Sequence, residues 1–294
     1  MAGEFMNISQ DEFIEWRPLL FSIGYRILGS VTYIEDFVHE TFLKMYDVED
    51  QLVHNKKAYL CKMMTNRCLD YLKSAQHTKE QYMGPWNPEP ILIEKLPADI
   101  VLEKEGLSIA YLRMMENLTP NERVVLVLRD VVGFSYSEIA DIVDLKENNC
   151  RKIYSRAKYK IKEVENESLD YRQNQQIVDQ FIGAIQHQNI NQLLHLLSED
   201  VTLYSDGGGE VRAALRPIIF NQNVAAFLKG ILKNATDDFY YEIKSVNGQP
   251  GIISYMDQRL HSVVSFFIID DIIQGIYITM NPKKLPNDSV QEKK

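Results

Sequence analysis

The apolar residues of this 294-residue chain change their spacing partway along, and that change limits the architectures open to it. From residue 12 to 75, and again from Ser108 to about Glu167, they recur with helical period. After Tyr171 one amphipathic helix, marked by Ile177, Phe181 and Ile185, leads into alternating or solidly apolar runs at Ile252 to Tyr255, Ser262 to Ile269 and Ile272 to Met280, which read as strands. Residues 76 to 107 lose the helical period. Gly84-Pro85-Trp86-Asn87-Pro88-Glu89-Pro90 and Pro97 cannot continue a helix and favour an extended path. The pattern predicts a multidomain chain: an all-α module over 6–75, a linker with a rigid centre over 76–107, a second all-α module over 108–167 and an α+β domain over 171–294.

No run of eighteen apolar residues exists, and no basic segment followed by an apolar one opens the chain. A membrane span and a secretory signal are therefore not expected, and a cytoplasmic protein is. Met1-Ala2-Gly3-Glu4-Phe5, followed by a second methionine, Met6, reads as an expression-vector remnant. Cys61, Cys68 and Cys150 are odd in number and lack metal-ligand spacing, so reduced thiols are expected, with no disulfide, metal or cofactor.

The net charge of −9 conflicts with nucleic-acid binding until the positions of the charges are considered. Arg151, Lys152, Arg156, Lys158, Lys160 and Lys162 fall within twelve residues that contain no acid. Just upstream, Ser135-Tyr136-Ser137-Glu138 has the S-x-x-E form of a capping box, so a helix starts there and places Ile139, Ala140 and Val143 on one face. The pattern halts at Asp144. In the helix that follows, Cys150, Ile153, Tyr154, Ala157 and Ile161 form one stripe, while Arg151, Lys152, Ser155, Tyr159 and Lys162 point the other way. The pair is a helix-turn-helix with a basic outer face. Asn149, Arg151, Lys152 and Ser155 are candidate base readers, and Arg156, Lys158 and Lys160 candidate phosphate contacts.

Leu118-Thr119-Pro120-Asn121-Glu122-Arg123 through Asp130, followed by Gly133-Phe134-Ser135-Tyr136-Ser137-Glu138-Ile139-Ala140, resembles region 4 of the extracytoplasmic-function sigma factors, which reads the −35 promoter element. Arg26-Ile27-Leu28-Gly29-Ser30 with Glu35-Asp36-Phe37-Val38-His39-Glu40-Thr41-Phe42 resembles the polymerase-docking part of their region 2. Ala58-Tyr59-Leu60 with Asn66-Arg67-Cys68-Leu69-Asp70-Tyr71-Leu72-Lys73 resembles the helix facing the −10 element. The resemblance implies core RNA polymerase and promoter DNA as partners. It implies docking through Arg26, Asp36, His39, Glu40 and Phe42, and DNA contacts from Lys62, Asn66, Arg67 and Lys73. Asp36 and Glu40, like charges at i, i+4, suit a basic partner surface. The loop from Glu49 to Lys56, with His54 and Asn55, is a candidate holder of an extruded base, or an ordinary surface loop.

Trp86-Asn87-Pro88-Glu89-Pro90, Asp206-Gly207-Gly208-Gly209 and Asn281-Pro282-Lys283-Lys284-Leu285 are similar to three motifs of the group of these factors that carries a fused SnoaL-like domain, a cone of curved sheet closed by helices. His39, Asp144, Lys146, Glu210 and Lys283 depart from the group's pattern. The last two invert charge, since a basic residue and an aspartate are usual there. The glycine segment suits close approach of another backbone, so the expectation is a clamp in which Asp206, Gly207, Gly208 and Gly209 meet the linker at Trp86, Pro88, Glu89 and Pro90 and the tail at Asn281, Pro282 and Leu285. Some SnoaL-like relatives are enzymes with an Asp/His pair. Asp206 and His261, with Tyr204, Tyr255, Arg216 and Tyr277 around them, are the pair to consider, against the reading of a turn aspartate and a strand histidine. An alternative sigma factor that performs no catalysis itself is thus weighed against a DNA-tethered enzyme and a one-component regulator sensing a small molecule. No residue pattern specifies a ligand.

Overall fold

The structure, a computed structural model, describes residues 9–46, 53, 55–79, 82–92, 107–233 and 238–286. The chain divides into two compact units. One holds residues 1–80 and 114–162, the other 81–113 and 163–294.

The first unit is helical throughout its described residues. Helix α1 (Gln10–Leu28) opens with a Ser9/Glu12 capping box and ends at Gly29 in the left-handed region, where glycine carries no Cβ penalty. Gly24 does not break it, because a Cβ there would lie 2.3 Å from Met64 Cε, and its absence lets α3 (Lys56–Lys79) pack closely. Helix α2 (Val31–Met45) completes the N-terminal module. Tyr25, Ile27, Ile34 and Met64 are fully buried within it. All three cysteines are free and buried, and burial pushes the Cys61 thiol up to about 12, out of reach of thiolate chemistry.

After α4 (Ile109–Met115) come α5 (Pro120–Asp130), α6 (Tyr136–Val143) and α7 (Glu147–Lys160). Both α5 and α6 start with complete capping boxes, Thr119/Glu122 and Ser135/Glu138. Asp144 ends α6 at φ 53°, a left-handed conformation that a short polar side chain tolerates. Lys146 precedes α7 without a side-chain cap, the consequence of lacking serine there.

The second unit is built on a six-stranded sheet in the order β2-β1-β6-β5-β4-β3. The strands are β1 (Leu197–Asp206), β2 (Ile218–Ile219), β3 (Tyr240–Val246), β4 (Gln249–Met256), β5 (Arg259–Ile269) and β6 (Ile272–Thr279). Only β1 and β6 pair in parallel. One face packs Val201, Leu203, Ile276 and Ile278 against α8 (Tyr171–Gln186), α9 (Ile190–Leu196) and α10 (Asn221–Lys233), so the interior is filled by apolar side chains. Strand alternation turns Tyr204, Asp206 and Tyr277 to the other face. The central part of the linker lies there: the Asn247 N–H donates to the Ile91 carbonyl, the Ile91 N–H donates to Asn247 Oδ1, and Leu92 bridges Val246.

Candidate nucleic-acid interface and linker latch

In α7, Cys150 and Ala157 are buried and Ile153 and Tyr154 half-buried, with Ile161 buried just beyond. The opposite side exposes Asn149, Arg151, Lys152, Ser155, Arg156, Tyr159 and Lys162. Arg151 is already oriented. Its guanidinium lies 4.5 Å over the Tyr136 ring and pairs with Glu147 at 2.6 Å, while Arg129 stacks on Tyr136 at 4.8 Å. A fork held from beneath and from one side suits reading a base edge.

Two expected phosphate contacts are paired with acids while remaining partly exposed. Lys158 pairs with Asp130 at 3.5 Å and Lys160 with Glu122 at 2.8 Å, both acids belonging to α5. Lys160 and the Thr119 cap hold the Glu122 carboxyl below the usual range against the opposing effect of burial. Asp130 also accepts a 2.7 Å bond from Tyr154, whose hydroxyl burial and this carboxylate push up to about 12. These lysines brace α7 on α5. Lys152, Ser155 and Arg156 remain as a polar face without a partner among the described residues.

In the N-terminal module Asp36 and His39 are exposed and Glu40 half-exposed on one side of α2, with Leu43 beside them. Glu40 is balanced from within by Arg67 at 3.1 Å, and that guanidinium also lies 4.8 Å over Phe37. Arg67 therefore joins α3 to α2 while its side chain stays exposed. Arg26 and Phe42 are corrections to the docking set. Arg26 is 5% exposed and bonds Ser22, and Phe42 is buried against Phe13, because both fall on the core side of their helices. On α3, Asn66 and Lys73 are exposed, and Lys62 donates to the Asp141 carbonyl at 2.9 Å. Asn55 caps α3, its Oδ1 accepting from Ala58 N; His54 lies outside the described residues. The sequence reading missed Arg123, 6% exposed, which bonds Glu116, the Leu118 carbonyl and the Ile27 carbonyl.

The second unit centres on Asp206, which is fully buried. Its Oδ1 accepts from Tyr82 OH at 2.5 Å and Gly208 N at 3.0 Å, and its Oδ2 from Asn87 N at 2.8 Å and Lys284 Nζ at 2.7 Å. Lys284, 9% exposed, also donates to the Asn87 carbonyl and sits 4.1 Å over the Trp86 ring. Burial and this carboxylate push the Tyr82 hydroxyl well above its ordinary range. Asn281 closes the arrangement, its backbone bonding the Asp206 carbonyl and its amide bonding Tyr82 OH. Each glycine of the turn has its own reason. A Cβ on Gly207 would lie 2.2 Å from the Val211 carbonyl, one on Gly208 2.2 Å from Asn281 Nδ2, and Gly209 has φ 78° against Met83. Pro88, Glu89 and Pro90 are buried, Leu285 joins the small core at Val246 and Ile253, and Pro282 is exposed. The two inverted charges meet: Lys283 Nζ pairs with Glu210, so the reversal is mutual and the attraction is kept.

His261 stands apart from Asp206. Asp206 pairs with Thr279, and Thr279 with Val263, so His261 is two strands across and two residues along, roughly 12 Å by strand spacing and rise. Tyr204 and Tyr277 stack at 5.7 Å beneath the Arg113 guanidinium, away from Tyr255, which stacks on Tyr240, and Arg216 is exposed. No Asp/His dyad assembles from this pair.

Residues 13–78 match the family model for sigma-70 region 2 and residues 108–161 that for sigma-70, region 4. The ECF RNA polymerase sigma factor SigJ of Mycobacterium tuberculosis is 27% identical over 96% of this chain and 95% of its own length. The probable ECF RNA polymerase sigma factor SigI of the same organism is 26% identical over 92% of each chain. The crystal structure of M. tuberculosis SigJ matches with a TM-score of 0.77 at 25% identity, covering 94% of this chain and 98% of that one. Among the described residues no helix is long and apolar enough to cross a membrane. Sigma-70 regions 2 and 4 thus follow one another along this chain with the sheet domain after them in sequence, and the chain is similar over nearly its whole length to an extracytoplasmic-function sigma factor.

Proposed function

We propose that this sigma factor brings core RNA polymerase to a defined set of promoters, with α7 in the major groove of the −35 element and α3 following the −10 strand. The polymerase supplies the catalysis. The observation that carries the reading is the basic outer face of α7, where Lys152, Ser155 and Arg156 are exposed beside an Arg151 oriented by Tyr136 and Glu147. The exposed Asp36, His39 and Leu43 on α2 form the polymerase-facing side. A chain of net charge −9 binds promoters adequately only when tethered to a larger enzyme.

The SnoaL-like domain performs no chemistry in this reading. Its Asp206 is saturated by donors and serves as the latch that holds the Trp86 linker and the Asn281 tail in one arrangement. The domain acts as an internal regulator of the sigma modules.

Reconstitution with core polymerase and mapping of transcript starts tests both statements. A common −35/−10 pair upstream of the starts is expected, and no promoter-dependent transcription would defeat the reading. Equal activity for the full chain, a Lys284→Met variant and a chain ending before Asn281 would remove the regulatory part alone.

A further inference from the structure

Tyr159 is 82% exposed, the most exposed of the large apolar side chains on the described surface. Single exposed aromatics are ordinary, so exposure alone assigns nothing. Its position on α7 does. Tyr159 lies seven residues from Lys152, four from Ser155 and three from Arg156, which puts all four on one stripe at helical spacing. None of the four has a partner among the described residues. Lys158 and Lys160, which flank Tyr159 in sequence, are held back by Asp130 and Glu122, so no long side chain from α7 covers the ring.

We infer that Tyr159 is a DNA contact of this protein, its hydroxyl donating to a phosphate oxygen at the edge of the −35 site. This rests on the proposed promoter-binding role of α7. A recognition helix seats its N-terminal residues against base edges, so positions toward its C-terminus rise out of the groove past the sugar-phosphate wall. Tyr159 stands about 10 Å beyond Lys152 along the helix axis, at 1.5 Å per residue. A phenol is among the side chains that bond phosphate without reading sequence. With Lys158 and Lys160 committed to α5, Tyr159 and Arg156, with Lys162 just past the helix, are the groups left to hold the backbone at that end.

The test measures promoter affinity of holoenzymes carrying Tyr159→Ala, Tyr159→Phe or Arg156→Ala, at several salt concentrations and on promoters of altered −35 sequence. Tyr159→Ala and Tyr159→Phe are expected to weaken binding about ten- to a hundredfold, the range for a hydrogen bond to a charged acceptor. The loss should be equal across −35 sequences and leave the salt dependence unchanged, because no charge is removed. Arg156→Ala should weaken binding and lower the salt slope by about one. Unchanged affinity for Tyr159→Ala with weakened Arg156→Ala would overturn the Tyr159 assignment alone. Unchanged affinity for both would overturn it together with the placement of α7 on DNA. Full activity for Tyr159→Phe, an altered base preference, or loss of core polymerase binding by Tyr159→Ala would each overturn the phosphate contact.

Discussion

Replacing Lys284 by methionine removes one charge from the latch while keeping an unbranched apolar stem beside Trp86 and Tyr82. Asp206 is then left fully buried with three neutral donors and no cation. Asp206→Asn does the reverse, leaving an ammonium that is 9% exposed with the Asn87 carbonyl and two aromatic rings. Breaking a buried pair from one side costs about 3–5 kcal/mol, because an uncompensated charge remains in a low-dielectric site. Removing both charges costs less than the sum, since no orphaned charge remains. For a unit of this size each kcal/mol lowers the melting midpoint by roughly 2–4 °C, so either single change should lower it by between about 6 and 20 °C. Trp16 and Trp86 are the only tryptophans, so a Trp16→Phe background makes fluorescence report on the latch itself. The measurement is a double-mutant cycle of urea and thermal unfolding with Lys284→Met, Asp206→Asn and their combination. Single-variant losses under about 1 kcal/mol, or a double variant as unstable as the two singles added, would refute the buried-pair reasoning.

Two further outcomes follow from the same unit. Burial pushes the Glu167 carboxyl up to about 8, opposed by the 2.5 Å bond that Ser108 donates to it. The unfolded chain releases this proton near the ordinary carboxylate range, about 4.3, whereas the folded chain holds it until about 8, so stability falls as pH rises through that window and levels off above it. Glu167→Gln should flatten this fall and stand above the wild type at pH 8 in unfolding midpoint; parallel curves for the two proteins would remove the assignment. At the surface, Glu210→Arg or Lys283→Asp alone should lower the latch midpoint by setting like charges together, while the double reversal should return it to the wild-type value. A double reversal as low as either single would show that the charges act on other groups.

The helix-turn-helix was legible because its signals are local. Ser135 and Glu138 are three residues apart, and the Cys150, Ile153, Ala157 stripe fixes which side of α7 is buried. What stands across from a side chain is not local. Lys158 and Lys160 were visible as part of a basic run, but Asp130 and Glu122, which pair with them, are 28 and 38 residues away in sequence. Arg26 and Phe42 went astray for a related reason: a motif locates a segment, and the packing of α1 and α2 decides which of its members reach the surface. In the SnoaL-like domain, three glycines after an aspartate marked a close approach, and Asn281 is what approaches Gly208. Tyr82 carried no signal, since a lone tyrosine in a polar stretch has no periodicity. Lys284 carried a misleading one, because a lysine in a basic tail is expected in solvent.

The pairing of those lysines changes the electrostatics of promoter binding. Six basic residues between Arg151 and Lys162 would, if all neutralised phosphates, give a salt slope near 5.4 and a loss of roughly two-thousandfold between 50 and 200 mM salt. With Lys158 and Lys160 bound to α5 and Arg151 bound to Glu147, the cations of this stretch without a partner among the described residues are Lys152, Arg156 and Lys162, for which the corresponding loss is about fortyfold. A helix with that smaller electrostatic grip tolerates salt but lacks the affinity to hold DNA alone, which places the remaining binding energy in the polymerase. Lys158→Ala and Lys160→Ala should therefore leave the salt slope of holoenzyme binding unchanged, whereas Lys152→Ala lowers it by about one. A drop of one for Lys158→Ala or Lys160→Ala would mean that the α5 pairs open on DNA, and the brace between α5 and α7 would then not be part of the bound state.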